Sequence, residues 1–269
     1  MLPLRASPAV GKLVDELRAD LVRRLGADLV GLYAYGSLVL GDFDPVRSDL
    51  DLLTALSREV AETELAALRD VHGEFVRRHP AWEDRVEVVC VSTSALRTFK
   101  VRASTAAVVS PGEALHLERV GREWLIDYHL VREHGVALVG PPPSTLIAEV
   151  SRDELLEAVR EYLARWRGEL PASATRGPQR YAVLTMCRGL YTLQHGRHVS
   201  KKAAAEWAQR ELPEWAPTIE RALAAANDDP ASEADRRETA RFVEFALGAA
   251  GARSRSGAVR SVPSRREEQ

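Results

Sequence analysis

At 269 residues, with 45% hydrophobic and 28% charged side chains, the chain has the composition of an ordinary soluble globular protein with room for two cores. A formal net charge of −2 and a pI near 6.4 exclude the basic excess that tight, nonspecific nucleic-acid binding needs, and favour a small cationic substrate over a polyanion. Residues 1–7 lack a signal-peptide pattern and no apolar run of about 18 residues occurs, so a cytoplasmic protein with no membrane partner is expected, and a monomer.

Val10, Leu13, Val14, Leu17, Leu21, Val22 and Leu25 recur at helical spacing over residues 8–25, behind Ser7 and Pro8, which suit an N-cap and a first helical position. The apolar run 29–35 predicts a buried strand, Gly36-Ser37 a tight exit with free backbone N–H groups, and residues 48–53 the next strand. Side chains two apart on a strand share a face, so Asp49 and Asp51 lie opposite Leu50 and Leu52. Two carboxylates that close repel, and such a pair either shares a proton or clamps a divalent cation. The Gly-Ser turn favours the cation, because it supplies donors for phosphate oxygens that Mg²⁺ would bridge.

Residues 58–78 read as a helix with Leu65, Leu68, Val71 and Phe75 on one face, stopped by His79-Pro80. Residues 85–92 read as a strand with one acid, Glu87, buried among β-branched neighbours. A buried carboxylate needs a partner. It is either salt-bridged to Arg85 or another nearby base, or stands beside bound metals and takes the proton of an attacking hydroxyl. Cys90 and Cys187, the only cysteines, lie far apart in apolar patterns and read as inert core thiols. Phe99–Ala103 and Ala114–Val120 look strand-like, residues 123–131 helical, and the apolar stretch 136–139 ends at Gly140 and three prolines. Those prolines mark the domain boundary, with one domain over 1–143 and another over 144–250.

Beyond them the pattern is helical throughout. Ser151 and Glu154 form a capping box, and the helix behind it buries Leu155, Leu156, Val159, Tyr162, Leu163 and Trp166. Further helices over about 179–194, 201–212, 215–226 and 232–249 complete a five-helix bundle packed by Trp166, Trp207 and Trp215, and residues 251–269 are expected to be a disordered tail. Arg188 lies on a helix apolar nearly all round and so requires an anionic partner. Lys201 and Lys202, in a first helical turn, oppose the helix dipole and ask for an anion too. Three such donors at one helical corner suit the β- and γ-phosphates of a nucleotide.

A buried strand, Gly36-Ser37, eleven residues and Asp49-Leu50-Asp51 resemble the signature of the polymerase-β-like nucleotidyltransferases. Arg188 to Trp207, together with Val131 to Pro141, is similar to the aminoglycoside 3''/9 adenylyltransferases, which modify streptomycin and spectinomycin, and the likeness spans about residues 25–250. It implies an α+β fold, with an N-terminal nucleotidyltransferase domain on a small mixed sheet followed by a helical bundle. It also implies that Asp49 and Asp51 bind Mg²⁺ (two ions), that Glu87 is the general base, that Arg188 and Lys201 contact the phosphates of ATP alongside Gly36 and Ser37, and that ligands sit in the cleft between the domains. Streptomycin-modifying members carry a Trp and an Asp before the helix bearing the arginine. Residues 170–179 here hold no acid, which favours spectinomycin as acceptor. Two alternatives stay open: the same chemistry on a protein or tRNA end, and a noncatalytic nucleotide-binding module.

Overall fold

The structure, a computed structural model, describes residue 4, residues 6–168 and residues 175–257, with 252–257 described by backbone alone. The chain divides into two compact units between Ala158 and Val159.

In the first unit α1 (Pro8–Leu25) opens with Ser7 as N-cap, its hydroxyl accepting from the Val10 N–H at 3.4 Å. There follow β1 (Leu29–Ala34), the short α2 (Ser37–Leu40), β2 (Leu50–Leu56), α3 (Glu62–Arg78) and β3 (Val86–Ser92). Next come α4 (Thr93–Thr98), β4 (Ser104–Val109), β5 (His116–Val120), α5 (Leu125–His134) and β6 (Val136–Val139). The strands form one mixed sheet in the order β5-β4-β3-β2-β1-β6. Only β2 and β3 run parallel, and α3 supplies the crossover that a parallel pair requires. Leu32, Leu50, Leu52, Val86, Val88 and Cys90 form a core with the apolar stripes of α1 and α3, so β1, β2 and β3 are pinned from one side.

Two expectations for this unit are corrected. Helix α3 starts at Glu62 rather than near residue 58, because the buried Glu64 carboxylate reaches back to the Ala61 N–H at 2.8 Å and pairs with Arg58, which also binds Asp28. Residues 99–103 are not a strand. Ser92 caps α4 by accepting from the Ala95 N–H, the Thr98 carbonyl then closes a turn on Val101 and Arg102, and the Val101 side chain is left 90% exposed.

Helix α6 (Arg152–Ala164) carries the expected capping box, with the Ser151 N–H donating to Glu154 at 2.8 Å. Its first turn is held by Lys100 on Glu154 at 2.8 Å, and the chain leading into it by the Ala148 N–H on the Leu96 carbonyl. The two compact units divide inside α6. The second unit holds α7 (Gly177–His195), α8 (Lys201–Glu211), α9 (Ala216–Ala224) and α10 (Glu233–Gly257). Gly189 lets α6 and α7 meet, since a Cβ there would stand 2.6 Å from a Leu163 methyl. Trp207 packs edge-on to Tyr191 and Trp215 packs on Phe242 and Phe245, as the bundle reading expects. Helix α10 runs past Gly251, where the tail was expected to begin; one glycine in a long helix costs only about 1 kcal/mol. The rest of that tail, residues 258–269, lies outside the described residues. Cys90 and Cys187 are buried free thiols.

Candidate active site

Residues 29–35 are apolar enough to bury β1, and the chain then leaves the sheet through Gly36 at φ +61°, a conformation L side chains rarely adopt. The glycine is needed a second time. A Cβ on it would lie 1.9 Å from Oδ2 of Asp51, so the carboxylate rests directly on the turn. Ser37 follows as the first residue of α2, half-buried beside it.

The parallel register of β2 and β3 pairs Asp51 with Glu87 and Leu53 with Val89. Both strands show the same burial sequence, a half-buried second residue between buried neighbours, which is how an acid is kept open to solvent at the N-terminal ends of two central strands. The Tyr35 N–H donates to the Asp51 carbonyl at 3.1 Å, which sets Tyr35, Asp51 and Glu87 in a row across the sheet. The Tyr35 hydroxyl donates to Oε1 of Glu87 at 2.5 Å. Burial raises the Tyr35 phenol well above its ordinary pKa, and the negative charges of Glu87, Asp51 and Asp127 push it further the same way.

Asp49 stands one residue before β2, half-buried. Its charge acts on Arg85, whose guanidinium donates to the Ser48 carbonyl (Nε at 3.1 Å) and lies 4.1 Å over the Trp82 ring. Burial lowers the Arg85 pKa while Asp49 and Asp44 oppose the shift. Arg85 is thus engaged with Ser48 and Trp82, and the Tyr35 hydroxyl is one contact of Glu87. Glu87 is also half-buried rather than enclosed as the sequence reading had it, because it sits at the strand end.

Among the described residues no three His, Cys, Asp or Glu side chains form a ready-made metal cage. The donors present nevertheless suit Mg²⁺, a hard cation commonly held by one or two carboxylates with waters and substrate phosphates completing its octahedron. Asp51 on its glycine and Asp49 two residues before it offer such a partial oxygen set.

The predicted basic residues belong to the second unit. Arg188 is half-buried on α7, a helix otherwise lined with buried apolar residues. Lys201 opens α8 behind the Ser200 N-cap, and its Nζ stands 4.2 Å over the ring of Tyr181, which is 42% exposed. Lys202 is exposed. Sequence reasoning missed Tyr35, whose i, i+2 alternation with Tyr33 was the available signal, and Tyr181, which stands one turn into a helix otherwise read for its core face. Of the acid-free stretch 170–179, residues 170–174 lie outside the described residues. Arg176, just beyond them, is held by Asp235 at 2.9 Å and by the Pro230 carbonyl.

Residues 14–106 match the family profile of a nucleotidyltransferase domain, and residues 145–249 that of the aminoglycoside adenylyltransferase C-terminal domain. An aminoglycoside (3'')(9) adenylyltransferase of Escherichia coli is 31% identical over 260 residues, covering 89% of this chain and 94% of that protein. The protein of that name in Klebsiella pneumoniae is 30% identical with the same coverage. A spectinomycin 9-adenylyltransferase of Staphylococcus aureus is 24% identical over 213 residues, or 70% of this chain and 74% of that one. Among solved structures, a spectinomycin adenyltransferase from Enterococcus faecialis with ATP and spectinomycin shares the fold, with a TM-score of 0.72 over 90% of this chain and 99% of the other at 14% identity.

Proposed function

The chain belongs to the aminoglycoside (3'')(9) adenylyltransferase family, and from that membership we propose that it transfers AMP from ATP to a hydroxyl of a small aminocyclitol or aminoglycoside, spectinomycin ahead of streptomycin. The observation that carries the reading is the pairing of Asp51 with Glu87 on adjacent strands above the Gly36 turn. Glu87 takes the proton of the acceptor hydroxyl while that oxygen attacks the α-phosphorus. The bond from phosphorus to the bridging oxygen breaks in line, and pyrophosphate leaves. Asp49 and Asp51 hold Mg²⁺, two ions in this reading, which when bound neutralises charge on the phosphate oxygens. Gly36 and Ser37 lend backbone donors beside that charge, and Arg188 and Lys201 bind the phosphates that depart.

Spectinomycin is favoured on two grounds. The (3'')(9) relatives and the spectinomycin 9-adenylyltransferase share position 9 in their names. Residues 170–179 also offer no carboxylate to a guanidino sugar. The enzyme acts in the cytoplasm, as a monomer, with ATP and a cationic acceptor as its partners and no tight hold on nucleic acid; no described helix is long and apolar enough to cross a membrane. A panel of aminoglycosides and aminocyclitols incubated with Mg-ATP tests the proposal through pyrophosphate release. Release with spectinomycin supports it, and no release above the acceptor-free control with any member overturns it.

A further inference from the structure

We infer that Arg85 is a positioning residue for Asp49: its side chain and its own carbonyl together hold the two peptide groups on either side of that residue. The inference rests on Asp49 holding Mg²⁺.

Asp49 stands one place before β2, and the register of β2 against β3 begins at Leu50, so the sheet ladder does not reach it. Residue 85 does. The Arg85 guanidinium donates to the Ser48 carbonyl through Nε at 3.1 Å and through Nη2, and the Arg85 carbonyl accepts from the Leu50 N–H at 2.9 Å. A peptide group is planar, so fixing the Ser48 carbonyl and the Leu50 N–H fixes both planes that meet at the Asp49 Cα. The direction of the Asp49 Cα–Cβ bond follows from those two planes.

The surroundings make the bracket stiff. The Ser48 N–H donates to the Asp44 carbonyl at 2.8 Å, and the Ser48 hydroxyl accepts from the Asp44 N–H at 3.0 Å. Arg85 is anchored in turn. Its N–H donates to the Trp82 carbonyl at 3.2 Å, its guanidinium carbon lies 4.1 Å over the Trp82 ring, and that ring stacks on Phe43 with centroids 6.5 Å apart. Two donors of a rigid fork aimed at one backbone carbonyl fix an orientation that a lysine's point charge would leave loose.

The test compares full-length wild type with Arg85→Met, Arg85→Lys, Asp49→Asn and the Arg85→Met/Asp49→Asn double variant, with thermal melting as the control for folding. Affinity for Mn²⁺ is read by electron paramagnetic resonance with α,β-methylene-ATP bound, and kcat and KM are read with Mg-ATP and spectinomycin. The Mn²⁺ measurement needs no acceptor, so it stands whatever the acceptor proves to be. Groups that orient a metal ligand typically contribute about 10–100-fold to metal affinity or activity. Arg85→Met should therefore bind Mn²⁺ about 10–100-fold more weakly and lose kcat to a similar extent, with the KM for spectinomycin within about 2-fold. Arg85→Lys keeps the charge without the fork and should still lose at least about 5-fold in Mn²⁺ affinity. In the Asp49→Asn background Arg85→Met should add less than about 3-fold, since its route of action is already gone. Wild-type Mn²⁺ affinity in Arg85→Met or in Arg85→Lys, beside a weakened Asp49→Asn, overturns the positioning role alone. So does an equal loss from Arg85→Met in both backgrounds. Undiminished Mn²⁺ affinity and turnover in Asp49→Asn remove the Mg²⁺ assignment and this inference with it. Should Arg85→Met fail to fold, Arg85→Lys, which keeps the stem and the charge, decides by the same criterion.

Discussion

Replacing Gly36 by alanine presses on two constraints at once. The residue sits at φ +61° and ψ −140°, a region that costs a non-glycine residue on the order of 1–3 kcal/mol. For a chain of this size each kcal/mol lowers Tm by about 2–4 °C, so a melting shift of about 2–12 °C is expected. The second constraint bears on catalysis. The new methyl would start 1.9 Å from Oδ2 of Asp51, against an ordinary van der Waals separation of about 3.5 Å, so carboxylate or turn must give by about 1.5 Å. Displacements of that order at reacting groups cost about 10²-fold or more. Gly36→Ala should therefore lose at least about 100-fold in kcat for pyrophosphate release at a temperature where melting shows it fully folded. A variant with that melting shift and near-normal turnover would show that Asp51 need not lie on the turn, and would refute the argument that this contact places a metal ligand.

Three further outcomes are expected. Asp49→Asn and Asp51→Asn each remove a charge proposed to hold Mg²⁺, so each should cut turnover by about 10²–10⁴-fold without lowering Tm, and near-normal pyrophosphate release from either counts against the Mg²⁺ assignment. Spectinomycin should be adenylylated at least ten times more efficiently than streptomycin, since a guanidino group denied a carboxylate partner forgoes about 1.5–3 kcal/mol; clear activity on streptomycin alone would reverse the preference. The Lys100 ammonium, with help from Ser151, lowers the Glu154 carboxyl from 4.5 to about 2. Its contribution to stability is thus complete above about pH 4.5 and is lost as pH falls through about 2, so the Tm advantage of the wild type over Glu154→Gln should shrink over that window; an advantage independent of pH would mean that the ion pair contributes nothing.

Much of the site was legible because its constraints are local. Gly36-Ser37 and Asp49-Leu50-Asp51 are short-range patterns, and the alternation around Glu87 marks a strand whatever it pairs with. The register that makes Asp51 and Glu87 neighbours is not local. It depends on α3 bringing β3 back parallel to β2, which no motif states. Tyr35 was read as one more apolar residue of the run 29–35, because its hydroxyl meets a residue fifty-two positions away. Residues 99–103 misled through their composition. Phe99 and Val101 favour strands, yet the cap at Ser92 and the turn at Thr98 decide the backbone, and Val101 ends up in solvent. The division of the compact units inside α6 is drawn by long-range contacts such as Lys100 to Glu154, which no local pattern states, whereas the prolines are visible without any.

The most direct test of adenylyl transfer is the fate of radiolabel from ATP labelled at the α- or the γ-phosphate, followed with spectinomycin as acceptor. Transfer of the α-label to the antibiotic, with the γ-label released in pyrophosphate, is the predicted result. Appearance of the γ-label on the acceptor would make the enzyme a phosphotransferase, and would contradict the roles given to Asp51 and Glu87.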